Sequence, residues 1–280
     1  MWALGVSGRR RRHESPFMPE GQAKLVAARP RTRIEMVERP RPEDPRPDDP
    51  GKLAAWWLPA AAAASLVGAI HLGLVISASR GQVASWLPHL DGSCSVSKAC
   101  RQEPAVHVFR ALVLPTATVL AATWWVAAAW LRRRALAGPR LCRAVLALGL
   151  AGAVFLVLYA TFLGTEGPVY RLLRRYGIYV FFGGTALAQL LVTLALARAP
   201  QERVPTLERG VLRGMQASLV FMLGAGPLNL VAAKLIGKDV LANVLEWWFG
   251  LALGLVALLL ARVWRREGLA LRVATVRGRS

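Results

Sequence analysis

LAAWWLPAAAAASLVGAIHLGLVIS, residues 53–77, decides the fold. Its sole ionisable side chain is His71. A soluble domain would show an apolar stripe at helical period or a strand-like alternation. Here apolar residues fill every position around the segment. A bilayer core about 30 Å thick takes about 20 apolar residues of helix. Backbone amides in lipid must bond within their own segment, so such a block is a helix.

Five similar blocks follow outward from it. They run about Val106–Leu131, Ala144–Leu163, Tyr176–Ala197, Gly214–Ile236 and Leu241–Trp264. Of the 280 residues 55% are hydrophobic, and mean hydropathy is +0.39, which suits six such blocks. The expected fold class is all-α: a polytopic membrane protein, a six-transmembrane-helix bundle over 53–264. Residues 1–52 are expected to form a disordered tail, because prolines alternate there with charge and little apolar surface can be buried. Residues 265–280 read as a basic tail. No apolar run precedes residue 53, so the first helix is expected to serve as an uncleaved signal anchor.

A net charge of +20 raises nucleic acid as a partner. The pattern argues against it. Arginines concentrate at the ends of apolar blocks, where they set topology. Arg132, Arg133, Arg134, Arg140 and Arg143 follow the second block, and Arg198, Arg203, Arg209 and Arg213 follow the fourth. Arg265, Arg266, Arg272, Arg277 and Arg279 close the chain. With six spans all three groups share one side, and the positive-inside rule makes that side cytoplasmic. The expected location is a plasma or inner membrane, multi-pass, with both termini cytoplasmic. One loop dissents: Arg171, Arg174 and Arg175 follow the third block on the outer side. Trp56, Trp57, Trp86, Trp247 and Trp264 fall near interfaces, where indoles prefer to sit. Gly224, Gly226 and Pro227 interrupt the fifth block and predict a kink there.

Cys94 and Cys100 lie six positions apart in the longest outer loop, about 78–105, where an oxidising compartment favours a disulfide. Two unpaired thiols are the alternative. A metal site is not expected, since His89 and His107 supply no tight ligand spacing.

Polar residues interrupt the blocks at one depth. His71, His107, Arg110, Asn229, Lys234, Asn243 and Glu246 lie toward the outer ends of their segments. Asp91, Glu166, Tyr170, Arg174 and Arg175 join them from the outer loops. At about 1.5 Å per residue all lie within about 10 Å of the outer interface. Ionisable groups are costly in a membrane and usually face the bundle interior or a cavity. A pocket opening to the outer leaflet would suit a lipid headgroup. Its candidate ligands are His71, Asp91, Arg110, Glu166, Arg174, Arg175 and Glu246. Arginines at 110, 174 and 175 could hold phosphate by bidentate hydrogen bonds, and Glu246 with His71 could form an acid–base pair. A structural cluster explains the same residues: Glu246 pairs with Arg110 or Lys234, His71 bonds a carbonyl, and Arg174, Arg175 and Lys234 snorkel. No Walker A loop, H-E-x-x-H, G-x-S-x-G or Rossmann fingerprint is present. A bis-histidine haem would need His71 and His107 at matched depth, and His107 is too near the surface. No cofactor is expected.

Three stretches resemble the DRAM/Frag/Sfk family of six-helix membrane proteins, related to the CWH-type N-terminal domain. Leu87-Pro88-His89-Leu90-Asp91-Gly92 is similar to the family's proline-to-glycine segment, with Glu103-Pro104 and Phe109 leading into the second helix. Gly177-Ile178-Tyr179-Val180-Phe181-Phe182-Gly183-Gly184 resembles its Gly-x-x-x-Phe-Phe stretch. Asn243-Val244-Leu245-Glu246-Trp247 resembles its Glu-Trp signature. The likeness covers about residues 55–265. It departs where Arg175-Tyr176 stands in place of a histidine opening the fourth helix, and in the Cys94–Cys100 insertion. The resemblance implies lipid remodelling, lipid organisation or partner recruitment, and carries over Glu246 and Asp91. The expected function is therefore a non-catalytic integral membrane protein that binds or organises lipid through an outer-leaflet polar pocket. An acyl-transfer enzyme and a small-solute transporter stand as alternatives. Membrane lipids are the expected partners, with a homo-oligomer or a membrane-protein partner left open.

Overall fold

The computed structural model describes residues 33–37, 52–84, 87–236 and 238–274, and side chains over 52–84, 87–228 and 239–272. The six apolar blocks are six long helices. They are α1 (Trp57–Ser79), α4 (Ala105–Arg133), α5 (Pro139–Phe162), α6 (Pro168–Arg198), α7 (Arg209–Ile236) and α8 (Lys238–Arg266). Two short helices, α2 (Pro88–Asp91) and α3 (Val96–Cys100), lie between α1 and α4. All six long helices are apolar and long enough to cross a membrane. The chain is a multi-pass, all-α membrane protein.

Each helix passes the bundle in the direction opposite to the one before. One end carries α2, α3 and the α5–α6 turn, and is called the loop face below. The other end carries the α4–α5 and α6–α7 connections. At this second end a small antiparallel sheet forms from β1 (Arg33–Val37), β2 (Lys52–Ala54) and β3 (Ala270–Ala274), in the order β1-β3-β2. It joins the start of α1 to the end of α8, helped by Ala55 N–H donating to Leu269 O at 2.8 Å and by Arg265 stacking over Trp56. Both ends of the helical domain therefore sit on one face, as an even number of crossings requires. Within the tail expected to be disordered, Arg33–Val37 is a strand. The remainder, 1–32 and 38–51, lies outside the described residues.

Helix α1 packs against both α4 and α8, α5 packs on α4, α6 on α5, and α7 on α8. Small residues let α5 and α6 approach closely, as membrane helices do. A Cβ at Gly177 would lie 2.9 Å from the Tyr159 amide nitrogen, and one at Gly184 would lie 2.8 Å from Leu148 O. The contacts of α6 with α7 and α8 are sparse by comparison, which leaves a seam. Trp247 and Trp264 are not interface anchors. Both are fully buried, and Trp264 packs edge-on to the equally buried Trp130. Trp56 and Trp57 are exposed as expected, and Trp86 lies outside the described residues. Helix α7 continues unbroken through Gly224, Gly226 and Pro227.

The sheet face holds a buried ion pair. Glu267, with its side chain 2% exposed, accepts from Arg134 at the end of α4 and from Thr206 in the α6–α7 connection. Nearby, Glu208 bridges to Arg262 and Arg266 in more open surroundings. Removing one partner of a buried pair leaves an uncompensated charge and costs about 3–5 kcal/mol. An exposed pair is worth about 1 kcal/mol or less. Glu267→Ala is therefore expected to lower the thermal unfolding midpoint in detergent well below that of Glu202→Ala, an exposed control. Equal midpoints would show that Glu267 holds nothing together.

Candidate functional site

The site begins with three donors near the start of α8, at positions i, i+4 and i+5, of which the first two share a face. Asn243 Nδ2 donates to Gly92 O at 2.8 Å, Trp247 Nε1 to Cys94 O at 2.9 Å, and Trp248 Nε1 to His89 O at 3.0 Å. They hold the α2–α3 segment against the bundle. Gly92 ends α2 with φ +59°, and a Cβ there would fall 2.2 Å from Val240 O. Only glycine accepts both the left-handed backbone and that approach. On the α1 side Ser77 Oγ donates to Ala99 O at 2.6 Å. Ser95 caps α3 by accepting from Lys98 N–H at 3.1 Å. Docked this way, the first turn of α3 presents the Val96 and Ser97 amides to the Glu246 carboxyl.

Glu246 lines a cavity of about 800 Å³ in the seam between α6 and the α7–α8 pair. Arg171, Arg174 and Arg175, at i, i+3 and i+4 of α6, line its end near the loop face. Arg174 Nη1 donates to Thr165 O at 2.7 Å. Arg171 and Arg175 have no hydrogen-bond or ion-pair partner among the described residues. Ser97 and Tyr159 contribute from α3 and α5. Tyr159 is 4% exposed, and its hydroxyl has no partner among the described residues. Deeper walls are apolar, formed by Phe182, Met222, Leu245 and Phe249. Below it, the core around Gln189 holds voids of about 20 and 30 Å³, and a separate pocket of about 200 Å³ lies at the α6–α7 connection on the sheet face. The chamber is cationic at one end, carboxylate-bearing inside and greasy beyond.

Of the seven expected ligands, Arg174, Arg175 and Glu246 meet in this cavity. The other four do not line it. Arg110 spends its guanidinium on the last carbonyls of α5, donating to Ala160 O at 3.2 Å and Leu163 O at 2.6 Å. Asp91 accepts from Ser93 N–H at 2.9 Å and shapes the turn after α2. Glu166 is exposed in the α5–α6 turn. His71 Nδ1 bonds Val67 O at 2.7 Å. A carbonyl only accepts, so Nδ1 is the donor there, leaving Nε2 to face His89 Nε2 at 3.3 Å. The two imidazoles stack with centroids 5.2 Å apart, and both pack on the Trp247 ring. His71 and Glu246 are thus engaged with different partners. Asn229 and Lys234 fall outside the described side chains.

The expected disulfide is not formed. Cys94 and Cys100 are separate buried thiols. Cys100 Sγ is turned toward α1, 3.8 Å from Ile70 O, and fills the notch at Gly73, where a Cβ would lie 2.5 Å from the sulfur. Burial pushes both thiols up from their ordinary range, which disfavours the reactive thiolate.

Sequence reasoning left Arg171, Tyr159, Tyr179 and Ser97 out of the site. Arg171 was detectable, since it lies one turn before Arg175 on the same helix face. Tyr159 was detectable as a lone phenol within an apolar span. Ser97 depends on how a loop folds back, which no local pattern reveals.

No protein-family model, no curated protein and no solved structure matches the chain.

His89 carries the pH dependence. Burial first, and the neighbouring His71 second, hold its imidazole below the ordinary histidine range. The unfolded chain then binds the proton more tightly than the folded one, so stability rises with pH through this window. Acidification below about pH 6.5 is expected to loosen the α2–α3 segment. Tryptophan emission from Trp247 and Trp248 should change over that range, and the change should shrink in His89→Gln. An unaltered profile in the variant would rule His89 out as its source.

Proposed function

We propose that this protein binds a phosphate-bearing membrane lipid in the α6–α7–α8 cavity and does not chemically alter it. The sheet face carries Arg132, Arg133, Arg140, Arg143, Arg198, Arg209 and Arg213. By the positive-inside rule that face is cytoplasmic, in a plasma or inner membrane, with both termini on that side. The cavity then opens within the outer leaflet, at headgroup depth.

The observation that carries this reading is the pair of arginines, Arg171 and Arg175, without a partner among the described residues and set over a cavity with apolar walls. Guanidinium groups bind phosphate oxygens through charge-assisted, often bidentate hydrogen bonds. Acyl chains match the walls beyond. Arg171 to Phe182 is eleven residue steps along α6, about 16 Å of rise, which reaches from headgroup depth well into the hydrocarbon. Binding is favoured over acyl transfer because His71 is engaged by Val67 and His89 rather than by Glu246. Binding is favoured over transport because the core around Gln189, between the cavity and the sheet-face pocket, holds voids of about 20 and 30 Å³, too small for a solute route.

Native mass spectrometry of the protein released from its membrane tests the proposal. The wild type is expected to retain phospholipid. Arg171→Ala combined with Arg175→Ala removes two charged donors, each worth about 1.5–3 kcal/mol, so retention should fall at least about tenfold. Arg140→Ala combined with Arg143→Ala, at the opposite face, should leave it unchanged. Equal retention in all three proteins would defeat the proposal.

A further inference from the structure

The cavity holds a second polar end besides its arginines. Glu246 lines the cavity, with the α3 amides of Val96 and Ser97 beside its carboxyl. Tyr159, Arg174 and Glu246 line the same cavity, so the acidic and basic ends belong to one site. The Tyr159 hydroxyl is buried and without a partner among the described residues. An unsatisfied buried hydroxyl costs about 1–3 kcal/mol, which a polar ligand atom beside it would offset. A phosphate alone would leave the carboxylate and the phenol unmatched.

Resting on the lipid reading above, we infer that the bound headgroup is a phosphoethanolamine-type zwitterion. Its phosphate lies against Arg171, Arg174 and Arg175, and its primary ammonium donates to Glu246 and Tyr159. A primary ammonium brings three N–H donors and a charge opposite to the carboxylate. A choline headgroup carries the same charge with no N–H donor. A glycerol headgroup brings hydroxyl donors with no charge. Selection by Glu246 and Tyr159 therefore separates the three.

The test is a competition read by native mass spectrometry on the full chain in detergent. Phosphatidylethanolamine, phosphatidylcholine and phosphatidylglycerol with identical acyl chains are supplied together, and water-soluble phosphoethanolamine is titrated separately. Wild type should retain phosphatidylethanolamine about tenfold over each of the others. Glu246→Gln and Tyr159→Phe should each shrink that preference, and the double variant should bring the three lipids within about twofold. Phosphate-dependent retention through the arginines should persist in the double variant. A thermal midpoint near that of wild type controls for folding, and Tyr159→Phe alone decides the matter if Glu246→Gln fails to fold. A purely structural Glu246 would alter the midpoint without altering the preference, and that result would overturn the inference. So would equal retention of phosphatidylcholine or phosphatidylglycerol by the wild type. Displacement of lipid by soluble phosphoethanolamine at equal concentration would make the free compound the ligand and overturn the lipid assignment. Loss of all lipid retention, in wild type and in the arginine variants alike, would instead remove the underlying reading.

Discussion

The three indole and amide donors of α8 decide how the loop face is built. A peptide carbonyl near hydrocarbon must find a donor, because water is scarce there. The backbone oxygens of His89, Gly92 and Cys94 find theirs in Trp248, Asn243 and Trp247. Every other feature of that face follows. With the segment docked, Ser95 can cap α3, the α3 amides reach Glu246, and His89 can stack on His71. Without those donors Glu246 would face acyl chains with no compensation. The Glu246-Trp247 pair is therefore a mechanical unit: its indole holds the loop whose amides support its carboxylate.

A second constraint shapes the cavity from the opposite side. Close approach of α5 and α6 through Gly177 and Gly184 fixes α6 against α5 rather than against α7. Helices α7 and α8 pack closely against each other. The two groups meet imperfectly, and the seam between them is the cavity. Its walls are apolar because the spans that form them carry side chains suited to lipid. Its mouth is basic because α6 enters the membrane through three arginines spaced to share a face.

The sequence made the spans legible because block length and the absence of charge depend only on bilayer thickness. It made Glu246, Arg174 and Arg175 legible because ionisable groups in hydrocarbon are too costly to occur without reason. Depth, however, fixes height along a helix and says nothing of direction around it. His71 and Arg110 sit at the expected height and face other neighbours, one on the Trp247 side of α8 and one against the end of α5. Neighbours on α8 show the same limit: Glu246 and Trp247 are adjacent in sequence and about 100° apart around the axis, so they serve different clusters. Loop residues were harder still. Asp91 shapes a turn and Cys100 fills a glycine notch, roles set by how the loop folds back rather than by spacing.

The three arginines on the face opposite the other basic loops need a physical account. Snorkelling explains why they tolerate their depth, since each side chain can reach toward the headgroup region. It does not explain their shared face, or why Arg171 and Arg175 have no partner among the described residues beside a cavity that also holds a carboxylate. A solvated basic loop would scatter its charges around the helix. Placing them at i, i+3 and i+4 directs all three toward one point. A bound phosphate at that point would compensate the charge locally and remove the conflict with the topology of the remaining loops. The same phosphate would leave the carboxylate deeper in the chamber needing a cation of its own, and this is what makes a zwitterion the better complement than a simple anion.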